Sequence, residues 1–259
     1  MPEGDTIYRT AVALRKAIDG RVVTEGPERL RGQTVAAVQP RGKHILIWFE
    51  PSGLALHTHM RMSGSWHLYR PGEVWRKPRR HATVMLGTDE WVAVCFSAPV
   101  CAILTEGQVD RHPALGGLGP DALADVTDLA EARRRLESRP DIDVGEAILD
   151  QRVLAGVGNV YRCESLFLAR INPWTRVGDM TGEQREELLA TAERLLKANT
   201  GTVRRTTITG AGASLAVYGR AGRPCPRCRE PIRVARQGAH ARVVYWCGFC
   251  QASLDGDSR

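Results

Sequence analysis

Two pairs of closely spaced cysteines near the C-terminal end of this 259-residue chain constrain its fold more than any other feature. An 18-residue segment separates the two pairs, which are Cys225 with Cys228 and Cys247 with Cys250. Two C-x₂-C turns can bring four thiolates around one ion, so this spacing is typical of a tetrahedral zinc site. With all four positions filled by thiolate, none is left for a reacting water. The pattern therefore predicts one structural zinc per chain; two redox pairs are the alternative.

The segment between the cysteine pairs has strand-like residues on both sides of Gln237-Gly238, which predicts a β-hairpin finger. Residues 201–259 hold ten Lys and Arg against three Asp and Glu, so they account for the whole formal net charge of +7. A basic segment around a metal site is typical of a nucleic-acid binder. A solvated basic face is the alternative.

At 259 residues the chain is longer than most single domains, which favours more than one domain. Its composition, 43% hydrophobic and 25% charged, is that of an ordinary globular protein. No stretch approaches the roughly 20 apolar residues of a membrane span, and the N-terminus lacks a signal-peptide pattern. Seven cysteines, an odd number, fit metal binding in a reducing compartment better than a disulfide framework. We therefore expect a cytoplasmic protein with no membrane partner.

Apolar periodicity predicts a helix over 6–18, followed by a series of short strands. Consecutive short strands separated by Gly- and Pro-containing turns are typical of an antiparallel sandwich or barrel. Residues 107–130 are rich in Gly, Pro, Asp and Ala, which predicts a linker. The predicted strands are 34–38, 44–49, 55–62, 65–69, 82–86 and 91–96.

The rest of the chain up to the finger reads as helical. Asp143 with Glu146 predicts a capping-box start, and Thr181 predicts the start of a longer helix that closes near Gly201. The run Gly156-Val157-Gly158-Asn159 breaks the helical pattern, and Asn159 is predicted to cap the next helix. Glycines at a helix start leave N–H groups free for a phosphate, although such turns often serve only packing.

The first residues suggest chemistry of their own. If Met1 is removed, Pro2 becomes a secondary amine that can attack a sugar C1′ and form an iminium directly. Glu3 beside it can supply or take a proton. The positive end of a helix dipole at residue 6 would favour the neutral, nucleophilic amine. A Met-Pro-Glu start is common, however, and carries little weight without support from the rest of the chain.

Taken in order, these motifs resemble the formamidopyrimidine-DNA glycosylase/endonuclease VIII family of base-excision repair over nearly the whole chain. The shared motifs are Pro2-Glu3-Gly4, Arg41-Gly42-Lys43, His59 through Ser65, Gly156 through Asn159, Tyr161, Glu164 through Phe167, Val217 through Arg220, and the finger ending Cys250-Gln251. The resemblance implies an α+β multidomain fold. Its parts are a β-sandwich with an N-terminal helix (1–112), a linker (113–130), a helix-two-turn-helix domain (131–219) and a zinc finger (220–254).

The resemblance also implies roles for individual residues. Pro2 matches the nucleophile and Glu3 the acid that protonates the sugar ring oxygen. Lys43 matches a lysine that binds phosphate and assists elimination. Contacts to DNA are implied for His59, which binds phosphate, for Met62, which fills the gap left by the flipped base, and for Asn159 and Arg242, which hold the flanking phosphates. Arg242 is therefore predicted as a catalytic as well as a DNA-binding residue.

Two positions depart from the family pattern. The family usually has Glu where this chain has Thr6, so Asp5 is a possible substitute for it. The 8-oxopurine branch carries an Arg-Arg-Phe-Gly run where this chain has Ser97 through Ala102. The missing run indicates the endonuclease VIII branch and oxidised pyrimidines.

The sequence thus predicts a bacterial, nucleoid-associated and monomeric DNA glycosylase and AP lyase that acts on damaged DNA by β,δ-elimination. A non-catalytic binder of damaged or abasic DNA is the main alternative, and Thr6 is its best support. A zinc-ribbon RNA-binding module is a third class, but it gives no reason for Pro2-Glu3 or Met62.

Overall fold

The computed structural model describes residues 2–208 and 214–252. The chain divides into two compact units, Met1–Gly117 and Leu118–Arg259. Each unit has a hydrophobic core of its own. Among the described residues, none of the helices combines the length and the apolar character that a membrane span needs.

The first unit begins with helix α1, Gly4–Ile18, which confirms the predicted N-terminal helix. Its apolar stripe, formed by Ile7, Ala11, Leu14 and Ile18, is at most 1% exposed because it lies in the core of the unit. The helix ends at Asp19, and Gly20 follows with φ of +72°, a conformation that glycine adopts without a steric penalty.

Two antiparallel sheets form the predicted sandwich, and both contribute side chains to one core together with α1. The four-stranded sheet has the order β1-β2-β3-β7, and the three-stranded sheet has the order β4-β6-β5. The strands are β1 Thr34–Arg41, β2 His44–Glu50, β3 Leu54–His59, β4 Ser65–Tyr69, β5 Ala82–Gly87, β6 Val92–Phe96 and β7 Val100–Leu104.

Strand β7 was absent from the sequence prediction. Its five residues, Val100 through Leu104, form a short apolar run without alternation, and periodicity alone does not assign such a run to a strand. It exists as a strand because it pairs with β3, from Ala55 opposite Leu104 to His59 opposite Val100.

The stretch predicted as a linker, 107–130, contains ordered structure on both sides of the unit boundary. Helix α2, Glu106–Asp110, begins in a capping box made by Thr105 and Gln108, and helix α3, Pro113–Gly116, follows it. The N-cap of α3 is His112, whose Nδ1 accepts from the Ala114 N–H at 3.2 Å.

Four helices make up the first part of the second unit. They are α4 Leu129–Glu137, α5 Val144–Ala147, α6 Asn159–Leu168 and α7 Gly182–Ala198. The start predicted at Thr181 is confirmed: its side chain accepts from Gln184 in a capping box. The helix start predicted at Asp143 is confirmed, since Asp143 is the N-cap of α5, but its capping box is wrong, because the Asp143 carboxylate accepts instead from Gln237 Nε2 at 3.1 Å.

The predicted hairpin is present as β8, Arg233–Gln237, and β9, Arg242–Trp246, which pair antiparallel. It packs against α6 within the same compact unit, and side chains beside the cysteine pairs that flank the hairpin donate to backbone carbonyls of the helical part. Gln251 Nε2 donates to Ile171 O at 2.8 Å, and Arg227 Nη1 donates to Phe167 O at 2.8 Å.

Candidate functional site

The N-terminal pair lies at the positive end of α1. Pro2 is half-buried, and Glu3 is the N-cap residue with only 1% of its surface exposed. The Glu3 carbonyl accepts the Ile7 N–H at 3.0 Å, which fixes its backbone at the start of the helix. Asp5, fully buried in the first turn, forms an ion pair with Arg9 at 3.1 Å. The fold thus places an imino acid and a carboxylic acid side by side at a helix N-terminus, where the dipole would favour a neutral Pro2 amine once Met1 is removed.

Lys43 lies in the tight turn between β1 and β2. Because Arg41 and His44 are paired across the two strands, the turn contains only Gly42 and Lys43. Gly42 has φ of +58°, as a type II′ turn requires at its first central position. The turn presents a half-buried Lys43 at the end of the four-stranded sheet.

His59, at the end of β3, pairs with His44 across the sheet and therefore lies beside the Lys43 turn. Its Nδ1 accepts from the Arg61 N–H at 3.1 Å. Burial, together with the positive charges of Lys43 and Arg61, lowers the pKa of His59. Lys43 and His59, both predicted phosphate contacts, are thus close together, and His59 is a neutral donor near pH 7.

Two further histidines of the same sheet are held neutral by burial. Burial lowers the pKa of His44 to about 3 and that of His57 to about 4, with smaller effects from neighbouring histidines. His44 Nδ1 and His57 Nε2 are 2.8 Å apart. Neither histidine belongs to a recognised sequence motif, although His57 and His59 stand two apart on β3 and so share a face.

These histidines predict acid destabilisation of the first unit. A histidine with a pKa near 6.5 when unfolded but 3 to 4 when folded is neutral in both states above pH 6.5, so the fold has its full stability there, and below pH 6.5 only the unfolded state binds the proton. Stability is therefore lost as the pH falls from 6.5 toward 4, by up to about 1.4 kcal/mol per pH unit and per histidine. The free energy of unfolding of the first unit can be measured between pH 7.5 and 4.5 by hydrogen exchange of β2 and β3 peptides across a urea series. Plotted against pH, it should show this slope.

The double variant His44→Gln/His57→Gln should flatten the slope. His81→Gln removes an exposed histidine and serves as the control, which should keep it. Identical slopes for the wild type and the double variant would contradict this account.

Met62 is exposed on a tight turn after β3, with 73% of its surface accessible. The Gly64 N–H donates to Met60 O at 2.8 Å, and a Cβ at Gly64 would lie 2.8 Å from that same oxygen. Only glycine fits there without a shift of the backbone. The turn therefore displays an apolar side chain that packs into no core, as an intercalating residue requires.

The connection between β6 and β7 is only three residues long, Ser97 through Pro99. Ser97 has φ of +49°, and its carbonyl accepts from Ser63 Oγ at 3.2 Å, so this connection lies against the Met62 turn. Ala98 is 8% exposed. A connection this short carries no long side chain that could stack on a base.

In the second unit, Asn159 is the first residue of α6 rather than its N-cap, which is Gly158. The predicted cap is therefore wrong, because the Asn159 side chain makes a long-range contact instead: its Nδ2 donates to Val243 O at 2.8 Å. Gln151 fixes the preceding turn by accepting from Gly156 N at 3.0 Å. Asn159 Oδ1 is enclosed without a hydrogen-bond partner in the described part of the chain.

Arg242 is exposed at the start of β9, directly before Val243. The Val243 carbonyl accepts from Asn159 and also from Arg162 Nη2 at 2.7 Å. Two side chains of α6 thus anchor the start of β9, and the structure brings Asn159 and Arg242 into one region of the second unit. Arg162 is fully buried, and burial lowers its pKa. Its anchoring role depends on long-range contacts that a local pattern does not reveal.

A buried carboxylate organises the segment before the finger. Glu164, fully buried on α6, accepts from the backbone N–H groups of Ala216, Val217 and Tyr218 at 2.8 to 2.9 Å and from the Thr207 hydroxyl. Three backbone donors and a hydroxyl compensate its burial. The sequence analysis quoted Glu164 only within a motif and assigned it no role.

The four paired cysteines form a compact cluster. Their sulfur atoms all lie within 4.8 Å of one another. The N–H groups of Arg227 and Cys250 donate to Cys225 Sγ and Cys247 Sγ at 3.4 Å, the N–H···S bonds of two tight turns. A thiolate set of this size and geometry fits a tetrahedral metal ion, so the four residues could bind a metal.

The fold and the cysteine cluster define a class of protein in which a β-sandwich with a leading helix precedes a helical unit with a four-cysteine hairpin. The models for the formamidopyrimidine-DNA glycosylase N-terminal domain and H2TH domain match residues 1–99 and 118–209. The probable endonuclease 8 2 of Streptomyces coelicolor is 43% identical over 263 aligned residues, 97% of this chain and 94% of that protein. The chain belongs to the formamidopyrimidine-DNA glycosylase/endonuclease VIII family.

Other comparisons agree with this assignment. The DNA-(apurinic or apyrimidinic site) lyase Nei2 of Mycolicibacterium smegmatis is 36% identical and is covered over its full length by 98% of this chain. The solved complex between the Lactococcus lactis Fpg and abasic-site DNA superposes with a TM-score of 0.83 at 20% identity, covering 97% of this chain and 100% of that one. The structural likeness confirms the α+β fold.

Proposed function

We propose that this chain is a bifunctional DNA glycosylase and AP lyase of base-excision repair that uses Pro2 as its nucleophile. The observation that carries the proposal is the pairing of Pro2 with a buried Glu3 at the N-terminus of α1, in a chain of this family. Relatives named endonuclease 8 and DNA-(apurinic or apyrimidinic site) lyase support both activities.

The proposed reaction is a displacement of the damaged base by Pro2, followed by two eliminations. Glu3 protonates the sugar ring oxygen as the Pro2 nitrogen attacks C1′ and the damaged base leaves. The open sugar is then an iminium of Pro2, which acidifies the C2′ proton. Loss of that proton breaks the C3′–O bond and expels the 3′ phosphate. Loss of the C4′ proton then breaks the C5′–O bond and expels the 5′ phosphate, and water hydrolyses the iminium to release Pro2. Lys43, beside His59, binds phosphate and assists these eliminations.

The two units each supply phosphate contacts in this proposal. Lys43 and His59 serve in the first unit, and Asn159 and Arg242 serve in the second. Met62 fills the gap left by the flipped nucleotide. A structural Zn²⁺ held by Cys225, Cys228, Cys247 and Cys250 would hold the finger, which presents Arg242.

The preferred substrates in this proposal are oxidised pyrimidines such as thymine glycol and 5-hydroxycytosine. The support is the short β6–β7 connection, whose small Ala98 and Pro99 neither stack on a base nor read its edge. Met62 is then the inserted side chain, and because it is apolar it recognises no donor or acceptor pattern on a base. We therefore expect weak discrimination between bases opposite the lesion. Unpaired substrates cost less to unstack, so bubble DNA should also be accepted.

Borohydride trapping on a panel of lesions tests the function directly. The full chain should form a covalent adduct with abasic, thymine glycol and 5-hydroxycytosine DNA, and peptide mapping should place that adduct on Pro2. We expect 8-oxoguanine to give little adduct whatever base lies opposite. An adduct on Lys43, or none on any substrate, would overturn the Pro2 assignment, and efficient 8-oxoguanine removal only opposite cytosine would overturn the lesion preference.

Arg242→Ala should weaken binding to every DNA sequence alike. One lost phosphate contact should lower the slope of log K against log salt by about 0.9. Fluorescence anisotropy across a salt series measures this slope. Arg134→Ala is the matched control, because that exposed guanidinium is already paired with Glu131 at 2.6 Å. An unchanged slope in the Arg242 variant would show that the finger does not carry this contact.

A further inference from the structure

Four histidine rings in the first unit form a continuous row, of which the proposed function uses only one end. The ring centroids are 4.9 Å apart between His112 and His57, 5.0 Å between His57 and His44, and 4.5 Å between His44 and His59. His112 anchors one end at the start of α3, and His59 stands at the other end beside Lys43.

The hydrogen bond inside the row has a direction that burial determines. His57 is fully buried, and its Nδ1 is enclosed with no hydrogen-bond partner among the described residues. An enclosed N–H without an acceptor is rarer and costlier than an enclosed lone pair. The bare nitrogen of His57 is therefore Nδ1, and its Nε2–H donates to His44 Nδ1, 2.8 Å away.

This direction fixes the proton of His44 on Nε2, because a neutral imidazole carries one proton and its Nδ1 is the acceptor. His44 Nε2 has no hydrogen-bond partner among the described residues. It is nevertheless absent from the set of enclosed nitrogens without a partner, which means that it is not enclosed and reaches solvent. In His59, Nδ1 accepts from Arg61, which likewise places the proton on Nε2. Two adjacent neutral rings thus carry the same Nε2–H donor.

We propose that His44 supplies a second neutral N–H donor to the phosphate subsite of Lys43 and His59, and that His57 is the positioning residue that sets the tautomer of His44. The proposal rests on the proposed function, since the ligand is a phosphate of the DNA backbone. The positive groups acting on these rings are Arg41, Lys43 and Arg61, which favour an anion.

The tautomers can be read in the unaltered protein. Long-range ¹H–¹⁵N spectra of the full chain at pH 7.5 should show protonated Nε2 and bare Nδ1 in His44, His57 and His59. A proton on Nδ1 of His44 would reverse the hydrogen bond and overturn the proposal. This measurement needs no variant to fold.

Binding to a duplex with a tetrahydrofuran abasic analogue tests the role of the donor. His44→Phe should weaken binding about tenfold, as the loss of one hydrogen bond to a charged group predicts, while His44→Gln keeps an N–H donor and should recover most of the affinity. His57→Leu should resemble His44→Phe, and His57→Gln should resemble the wild type. Because a neutral donor releases no counterion, the salt slope should stay unchanged in all four variants.

The outcomes separate the two proposals. If the wild type does not bind the abasic duplex, the proposed function fails. Suppose that the wild type binds and that Arg242→Ala lowers the slope of log K against log salt. If a folded His44→Phe then binds like the wild type, only the histidine proposal fails. A changed slope in His44→Phe would also overturn it, since that would mean a charged ring. Thermal unfolding checks each variant, and the spectra of the wild type decide the case if a variant does not fold.

Discussion

Glu3→Gln is expected to slow removal of a damaged base by at least about a hundredfold, the range that a positioned general acid contributes. Cleavage of a preformed abasic site should fall much less. An intact nucleoside needs its ring oxygen protonated before the sugar opens, whereas an abasic sugar is already in equilibrium with the open aldehyde that Pro2 attacks. Glu3 is enclosed at the start of α1, directly beside Pro2, which suits it to that proton transfer.

Single-turnover assays on a thymine glycol duplex and on the same duplex with an abasic site measure both steps. Glu28→Gln, which changes an exposed carboxylate of the same unit, is the control and should leave both rates unchanged. Equal losses in both assays would contradict this account, because they would place Glu3 in a step that both substrates share.

Thr6→Glu restores the residue usual in the family and tests whether Asp5 already serves in its place.

Cys225→Ser should abolish metal binding and weaken DNA binding by at least about a hundredfold, because a structural metal contributes on the order of 10 kcal/mol to the folding of such a finger. The finger carries Val243, whose carbonyl is the partner of Asn159 and Arg162. Unfolding of the hairpin therefore removes Arg242 and releases Asn159 together. The first unit, with a core of its own, should stay folded.

Native mass spectrometry measures the metal content, and fluorescence anisotropy with abasic DNA measures the affinity. Hydrogen exchange shows which of the two units remains folded. Cys101→Ser is the matched control, since Cys101 lies on β7, outside the cluster. A Cys225 variant that loses the metal yet keeps its DNA affinity would show that the finger is stable without the ion.

The sequence predicted those parts of the fold whose signals are local. Helix α1 has a regular apolar stripe, α7 has a capping box at Thr181, and the cysteine pairs have the spacing typical of a tetrahedral metal site. Strand β7 was missed because its five residues form a short apolar run without alternation, so that only its pairing with β3 defines it as a strand.

The errors at Asp143 and Asn159 have a common cause. Both residues have side chains that suit a helix start, and local reasoning predicts caps at both. In the fold, Gln237 binds the first and Val243 O accepts from the second, across 94 and 84 residues of sequence. Long-range partners therefore outcompeted the nearby backbone N–H groups. The histidine row was missed for a similar reason, because His44 meets His59 only through the register of β2 and β3.

The three-residue connection from Ser97 through Pro99 also bears on how substrate choice could change in this fold. It joins strands of two different sheets, and Ser97 already adopts the left-handed backbone conformation of a turn. Each doubling of a surface loop's length costs only about 0.6 kcal/mol of chain-closure entropy. An insertion after Ala98, which belongs to the core of the first unit, would therefore cost little closure entropy and would leave that core residue in place. Under the proposed function, lesion preference could then change through an insertion at this turn while the packing of Ala98 in the core stays the same.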